Sequence, residues 1–337
     1  MSRTMSSAAT PLDGIDLLLA DLDGVVYKGA DAIPHAIESI NAAARGRTVG
    51  YLTNNASRTA ASVAEHLSAL GLTVTAEQVV TSPQAAVRLL AGMVPAGSTI
   101  LVTGGDGLRS VVEGAGFVVT DSADDGPAAV IQGFFPEIGW KHLAEASFAL
   151  NADPSRPWVA TNTDWTIPVA RGIAPGNGTL VAAVHNAVGR MPVVAGKPEV
   201  AIFEEAVLRF GGQRPLFLGD RLDTDILGAN RANMPSALVL TGIDGPKQVL
   251  AADARLRPAF ILGDLRELHE PYPVASTKRG TTTVGDAVVK VYGTTVSVER
   301  AGSRPIDLVR AGAAAVWGAG VGINSLTVDP ALYEGSF

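Results

Sequence analysis

A chain of 337 residues is long enough for about two domains of ~100–200 residues each. Apolar residues make up 47% and charged residues 18%, which excludes disorder over most of the chain, and a formal net charge of −7 removes the electrostatic footprint of a nucleic-acid binder. With no cysteine, disulfides, thiolate zinc sites and cysteine nucleophiles are excluded, and the five histidines show no metal-ligand spacing.

The first 14 residues hold no apolar stretch of signal-peptide length, so they read as a loose polar lead-in to a protein expected in the cytoplasm. From Leu17 the pattern runs strand (LLLA), Asp-rich turn, helix (about Pro34 to Ala44), strand (VGYLT, ending at Thr53), helix (Ala60 to Leu70) and short strand (QVVTS). This alternation predicts a parallel sheet with helices on both faces. Residues 83–190 carry strands of their own (TILVT, GFVV, AAVIQG, WVATN) and helices near Gly107 to Gly114, Gly139 to Leu150 and Thr179 to Val188, enough for an inserted αβ domain. The first grammar then resumes with a helix at Glu199 to Arg209, the strand PLFLGD, a helix near Thr224 to Ala232 and the strand SALVL, which predicts one sheet shared with the N-terminal stretch. After the Pro-rich EPYPVAS linker, 281–300 reads as two strands, Pro305 to Trp317 as an Ala-rich helix and SLTVD as a strand. No site is legible there. The weakly polar run Ala311 to Ile323 is too short for a bilayer span of ~20 residues.

Four constellations at strand ends carry chemistry. Asp21-Leu22-Asp23-Gly24 follows a buried strand, and ligands in open parallel sheets bind outside the strands' carboxyl ends. The two aspartates can face the same side, with Gly24 relieving the turn. Taken alone, the motif is also an ordinary Asx-type strand end. Thr53-Asn54-Asn55 offers a hydroxyl and backbone N–H groups able to hold a phosphoryl oxygen, or merely to cap a helix. Gly196-Lys197-Pro198 places a cation at a helix start, where the dipole favours anions, a conflict typical of functional sites. In Gly219-Asp220-Arg221-Leu222-Asp223-Thr224-Asp225 three acids crowd six positions, and a hard cation such as Mg²⁺ supplies the counter-charge; capping explains Asp223 but not all three.

In this order, the four resemble the motifs of the haloacid dehalogenase superfamily, and within it the phosphatases of the NagD and 4-nitrophenylphosphatase type. The resemblance spans roughly Leu12 to Gly263. It implies a Rossmann-like parallel-sheet α/β catalytic core over 12–82 and 191–265, a large inserted α/β cap over 83–190, and leaves 276–337 as a small C-terminal α+β region of unknown role. It further implies a phosphatase that hydrolyses small phosphate monoesters through an aspartyl-phosphate. Asp21 is then the nucleophile and Asp23 the acid and base. Asp21, the backbone carbonyl of Asp23 and Asp220 hold Mg²⁺, with Asp225 behind them. Gly24, Thr53, Asn54, Asn55 and Lys197 serve the phosphoryl group, and Lys197 steadies Asp21.

A cap needs a substrate-facing loop, and the candidates are Thr161 to Asp164, through Asn162 and Asp164, and Pro175 to Gly178. The partner expected is a small phosphorylated metabolite, glycerol 3-phosphate or 2-phosphoglycolate first, with pyridoxal phosphate and nucleoside monophosphates as alternatives. No nucleic acid and no membrane span are expected, and a homodimer is compatible with the reading. A non-catalytic regulator on the same scaffold is the rival class, disfavoured because binding alone does not need both Asp21 and Asp23.

Overall fold

The computed structural model describes residues 9–169 and 171–335; the expected polar lead-in lies outside them up to residue 8. Packing divides the chain into two compact units. The first takes the chain up to Val49, Leu70–Leu72 and everything from Gly212 onward, and the second takes Gly50–Ala69 and Thr73–Gly211.

In the first unit, four parallel strands run in the order Phe260–Leu262, Ser236–Val239, Pro215–Gly219, Leu17–Ala20. Leu17–Ala20 and Ser236–Val239 are buried at every position, the continuous apolar pattern of strands covered on both faces. The early and late stretches of sequence thus share one sheet. Ala20 pairs with Leu218, so the two neighbouring strands end almost level and deliver Asp21 and Asp220 to the same edge. The strand Thr48–Thr53 leaves this unit and continues into the second.

The C-terminal stretch belongs to the first unit. Its five-stranded sheet has antiparallel strands Ser276–Lys278, Thr281–Val284, Ala287–Tyr292 and Thr295–Arg300, with Thr327–Val328 parallel to the last. Residues 281–300 therefore form three strands, not the expected two. Val284 and Ala287 pair across a two-residue Gly285-Asp286 turn in which Gly285 takes φ 55°, a backbone region glycine enters without strain. The helix Pro305–Trp317 lies where the sequence places it. Its Val309, Val316 and Ala313 share one hydrophobic cluster with Leu238, Val249 and Ile261 of the core and with Val289 of the C-terminal sheet. Each such large side chain contributes roughly 1.5–3 kcal/mol when fully buried. A buried ionic clamp adds direction: Arg310 donates to Asp307 (2.8 Å), Glu267 (2.8 Å) and the Ile261 carbonyl (2.9 Å) and stacks on Tyr272 at 4.4 Å.

The second unit holds a parallel five-stranded sheet, Val193–Val194, Trp158–Ala160, Ala129–Gln132, Thr99–Thr103, Val118–Thr120 in spatial order. Helices Trp140–Ala152 and Asn177–Val188 cover it through Ala146, Leu150, Val181 and Val184 packed on Leu101, Val130 and Trp158. The helix Ser82–Ala91 opens on a capping box from Thr81 and Gln84, so residue 83 lies inside a helix. An antiparallel pair, Thr166–Val169 with Gly172–Pro175, was not legible in the sequence. Among the described residues no helix is long and apolar enough to cross a membrane.

Candidate active site

Asp21 and Asp220 leave adjacent strand ends, and a turn of the chain brings Asp225 to them. Carboxylate oxygens of Asp21, Asp220 and Asp225 lie within 4.8 Å of one another, and the three residues are 9%, 1% and 1% exposed. Where a helix was expected from about Thr224, Leu222–Ile226 makes one π-helical turn before the short α-helix Leu227–Arg231. The Ile226 N–H reaches back to the Arg221 carbonyl at 3.1 Å, and the wide turn lets the Asp225 carboxylate fold onto the N–H groups of Asp220 and Arg221, both at 3.1 Å. Asp220 Oδ2 accepts from the Ile243 N–H at 2.7 Å. Asp223, by contrast, is exposed and forked by Arg221.

The approach to Asp220 requires glycine. A Cβ on Gly24, whose φ is +83°, meets Asp220 Oδ2 at 2.2 Å, and one on Gly242 meets it at 1.9 Å. Thr241 donates to the Gly24 carbonyl at 2.7 Å and pins the turn that follows Asp23. Asp23 itself is exposed, unlike Asp21 two residues earlier, so the two carboxyls meet different surroundings.

Three carboxylates at this spacing repel by about 3 kcal/mol per pair at an effective dielectric near 20. An all-oxygen donor set drawn together against that repulsion fits a hard divalent cation such as Mg²⁺. Sequence reasoning missed Asp244, which accepts the Leu222 N–H at 2.6 Å while its own N–H donates to the Asp220 carbonyl. Burial pushes the Asp244 carboxyl up, against the Leu222 hydrogen bond, and Asp223 and Asp225 add to the rise. Its signal was available: Gly242-Ile243-Asp244-Gly245 is a further glycine-flanked acid soon after a buried strand.

The second unit gathers Thr53, Asn54, Lys197, Asn162 and Asp164. Thr53 Oγ1 accepts the Asn55 N–H at 3.1 Å, and Asn55 Oδ1 accepts from the Ser57 N–H and hydroxyl. Asn54 is a joint. Its Oδ1 accepts the Lys197 N–H at 2.8 Å, and its Nδ2 donates to the Lys197 carbonyl at 3.0 Å and to Asp164 Oδ1 at 3.1 Å. Its carbonyl takes hydrogen bonds from Asn162 Nδ2 and from Ser82 Oγ, a residue the sequence reading did not single out. Gly196 makes room, because a Cβ there meets Asn54 Oδ1 and the Thr161 carbonyl at 2.6 Å each. Lys197 is 4% exposed.

The residues expected to face the phosphoryl group and the substrate also bond within the protein. Asn54 spends its carboxamide on the protein, and Asn162, 4% exposed, faces inward, with its carbonyl accepting from Asn177 Nδ2 at 2.7 Å. Asp164 is drawn into the same joint, as the Asp164 N–H donates to Asn162 Oδ1 and the Asp164 carbonyl accepts from Gly178. The reason is the tight packing of backbone around Gly176 and Gly178, where an added Cβ meets backbone oxygens of 163 and 164 at 2.2 to 2.3 Å.

Comparison with known proteins agrees with this layout. The family described as haloacid dehalogenase-like hydrolase matches residues 18–118, a HAD-hydrolase-like family matches 194–268, and a GCN5-related N-acetyltransferase-like domain matches 285–332. A D-glycerol 3-phosphate phosphatase of Mycobacterium tuberculosis is 46% identical over 255 residues, 76% of this chain and 71% of that protein. Human chronophin is 35% identical over 272 residues, 75% and 92% of the two chains. A crystal structure of a glycerol phosphate phosphatase from Mycobacterium tuberculosis in complex with magnesium superposes with a TM-score of 0.85 at 39% identity, over 96% of this chain and 95% of that one. A 4-nitrophenylphosphatase from Thermotoga maritima gives 0.71 at 28% identity, over 77% and 98%. At such identity and coverage, with the acidic strand ends in place, the chain belongs to the haloacid dehalogenase-like hydrolases and to their phosphatases of the NagD and 4-nitrophenylphosphatase type.

Proposed function

We propose that the protein is a Mg²⁺-dependent phosphatase of small phosphate monoesters, with glycerol 3-phosphate its first substrate and 2-phosphoglycolate the next. The observation that carries the reading is the buried trio Asp21, Asp220 and Asp225 within 4.8 Å, at the carboxyl edge of a parallel sheet. The glycerol phosphate phosphatase relative supports the substrate.

Asp21, Asp220 and the Asp23 carbonyl would hold the metal, with Asp225 fixing the loop behind them through the N–H groups of Asp220 and Arg221. When bound, Mg²⁺ supplies the positive charge that offsets the repulsion between a carboxylate and a phosphate dianion. An Asp21 oxygen forms the bond to phosphorus as the ester oxygen leaves, and Asp23 gives that oxygen its proton. Water then attacks the aspartyl-phosphate, Asp23 takes the proton back, and phosphate departs with Asp21 restored.

The Thr53 hydroxyl accepts from Asn55, which leaves its own proton to donate to a phosphoryl oxygen. The ammonium of Lys197, a compact cation 4% exposed, is assigned to the phosphoryl oxygens. Asn54 acts as a positioning residue for Lys197, and Asn55 contributes through the backbone turn. Residues 83–190, which supply four of the five strands of the second unit's sheet, are assigned as the cap. A net charge of −7 supports a metabolite rather than a nucleic acid as partner, and the cytoplasm is where such metabolites are made. The test is phosphate release from a panel of small esters with Mg²⁺ and with EDTA: release from glycerol 3-phosphate only with Mg²⁺ supports the reading, and no release from any ester refutes it.

A further inference from the structure

The segment that closes on Asp220 comes from a neighbouring strand of the first unit. Ser236–Val239 ends shortly before Thr241, and the chain then turns through Gly242, Ile243, Asp244 and Gly245 into the helix Pro246–Ala251. Because Ser236–Val239 runs parallel to Pro215–Gly219, with Leu238 opposite Gly219, both strands deliver their following turns to the same edge of the sheet. Gly242 packs against the Asp220 carboxylate where no Cβ has room, and the Ile243 N–H donates to Asp220 Oδ2 at 2.7 Å. The Ile243 side chain is exposed, so what this residue gives Asp220 is its N–H.

Asp244 holds the backbone itself. Its N–H donates to the Asp220 carbonyl at 3.1 Å and its Oδ2 accepts the Leu222 N–H at 2.6 Å, so one half-buried residue grips the stretch Asp220–Leu222 at both ends. The N–H groups of 220, 221 and 222 thus each meet a carboxylate, the first two that of Asp225 and the third that of Asp244. Leu222 is buried, and its N–H deprived of the Asp244 oxygen has a desolvation cost to escape, which it does by letting the turn relax. Any such relaxation moves Asp220 and the base onto which Asp225 folds. Asp244 is not itself one of the three carboxylates gathered within 4.8 Å.

We propose that Asp244 is a positioning residue of the metal site: by gripping Asp220–Leu222 at both ends it aims Asp220 and Asp225, and it acts as a hydrogen-bond acceptor rather than as a fourth charge. The inference rests on the metal assignment of the phosphatase reading and adds a residue outside the four strand-end constellations. Groups that orient metal ligands without touching the ion typically carry about 10- to 100-fold in affinity. Two variants separate the roles. Asp244→Asn keeps a side-chain oxygen for the Leu222 N–H and loses the charge, whereas Asp244→Ala loses both.

The experiment measures Mg²⁺ binding by calorimetry, and urea unfolding in EDTA, for the full-length protein, Asp244→Asn and Asp244→Ala. Mg²⁺ affinity is expected to fall about tenfold or more in Asp244→Ala and to stay within about threefold of the unaltered protein in Asp244→Asn. Turnover of 4-nitrophenyl phosphate by Asp244→Ala is expected to recover as Mg²⁺ is raised, a greater metal requirement rather than a lost kcat. An Asp244→Ala affinity within about twofold of the unaltered protein overturns the proposal, and so does equal weakening in both variants, which assigns the effect to charge. Should unfolding show that Asp244→Ala does not fold, amide hydrogen exchange in the unaltered protein decides. Coupling is reciprocal, so Mg²⁺ is expected to slow exchange at Leu222 and Asp244 about fivefold or more, and unchanged exchange at both overturns the proposal. No binding of Mg²⁺ by the unaltered protein refutes the metal assignment and this proposal with it, whereas binding without phosphate release from any ester refutes the phosphatase reading alone.

Discussion

The carboxamide of Asn54 holds the backbone of Lys197 on both sides, accepting its N–H at 2.8 Å and donating to its carbonyl at 3.0 Å across 143 positions of sequence. The pairing fixes the peptide from which the buried ammonium extends and ties the turn after Thr53 to the segment that leads into the helix Val200–Phe210.

Asn54→Ala removes both bonds and leaves two backbone groups to be resolvated, at about 1–3 kcal/mol each. A lowered unfolding midpoint in denaturant is expected, with kcat/KM for 4-nitrophenyl phosphate down ~10-fold or more as Lys197 loses its frame. Asn54→Asp keeps the acceptor and loses the donor, so it falls between the two. Equal stability and activity of all three proteins contradict the joint.

Gly196→Ala tests the same packing from the opposite direction. Its Cβ has no room, with Asn54 Oδ1 and the Thr161 carbonyl each 2.6 Å away, so either backbone or side chain must shift. Overpacking of this kind costs typically ~1–3 kcal/mol. Urea unfolding of the variant checks it, and an unchanged midpoint contradicts the geometry.

The clamp on the C-terminal helix gives a stability prediction. Arg310, Glu267 and Asp307 are 5%, 8% and 4% exposed, so Arg310→Met takes the ion pair from buried Asp307, leaves Glu267 with Arg304 at 2.7 Å, and is expected to destabilise the fold by about 3–5 kcal/mol. Arg310→Met/Glu267→Gln/Asp307→Asn removes the charges together and is expected to recover a large part of the loss. A triple variant no better than the single one contradicts the electrostatic account.

Metal identity offers another test. Mg²⁺ takes six ligands at short distances, whereas Ca²⁺ accepts more and can hold a carboxylate through both oxygens, which at Asp21 consumes the attacking one. Replacing Mg²⁺ with Ca²⁺ is expected to abolish turnover while calorimetry still detects binding. Asp220→Asn is expected to weaken Mg²⁺ affinity measured the same way. Undiminished turnover with Ca²⁺, or unchanged affinity in Asp220→Asn, removes the metal assignment.

Asp21 and Asp220 were legible because each directly follows a run of buried apolar residues, and the parallel register then needs only to bring two strand ends level. The hydrogen bonds of Asn54 and Asn162 were not legible for a physical reason: a polar residue at a strand end reads alike whether it turns to a ligand or to a backbone over 100 positions away, as Asn162 does toward Asn54. The π turn at Leu222 depends on where Asp225 finds its N–H partners, which no local propensity encodes. The meander at 281–300 was recoverable from its glycines, since Gly285 and Gly293 both take positive φ where the strands reverse.

The division of labour between Asp21 and Asp23 is the central claim, and rapid-quench mass spectrometry with an aryl phosphate tests it most directly. Asp21→Asn is expected to carry no phosphoryl group at any time, because the attacking carboxylate is gone. Asp23→Asn keeps that nucleophile and loses the proton donor and acceptor, so it is expected to accumulate a phosphoryl adduct on Asp21 from a phenolate leaving group and to fail with an alkyl ester. A labelled Asp21→Asn protein, or an Asp23→Asn protein equally impaired on aryl and alkyl esters, contradicts the mechanism.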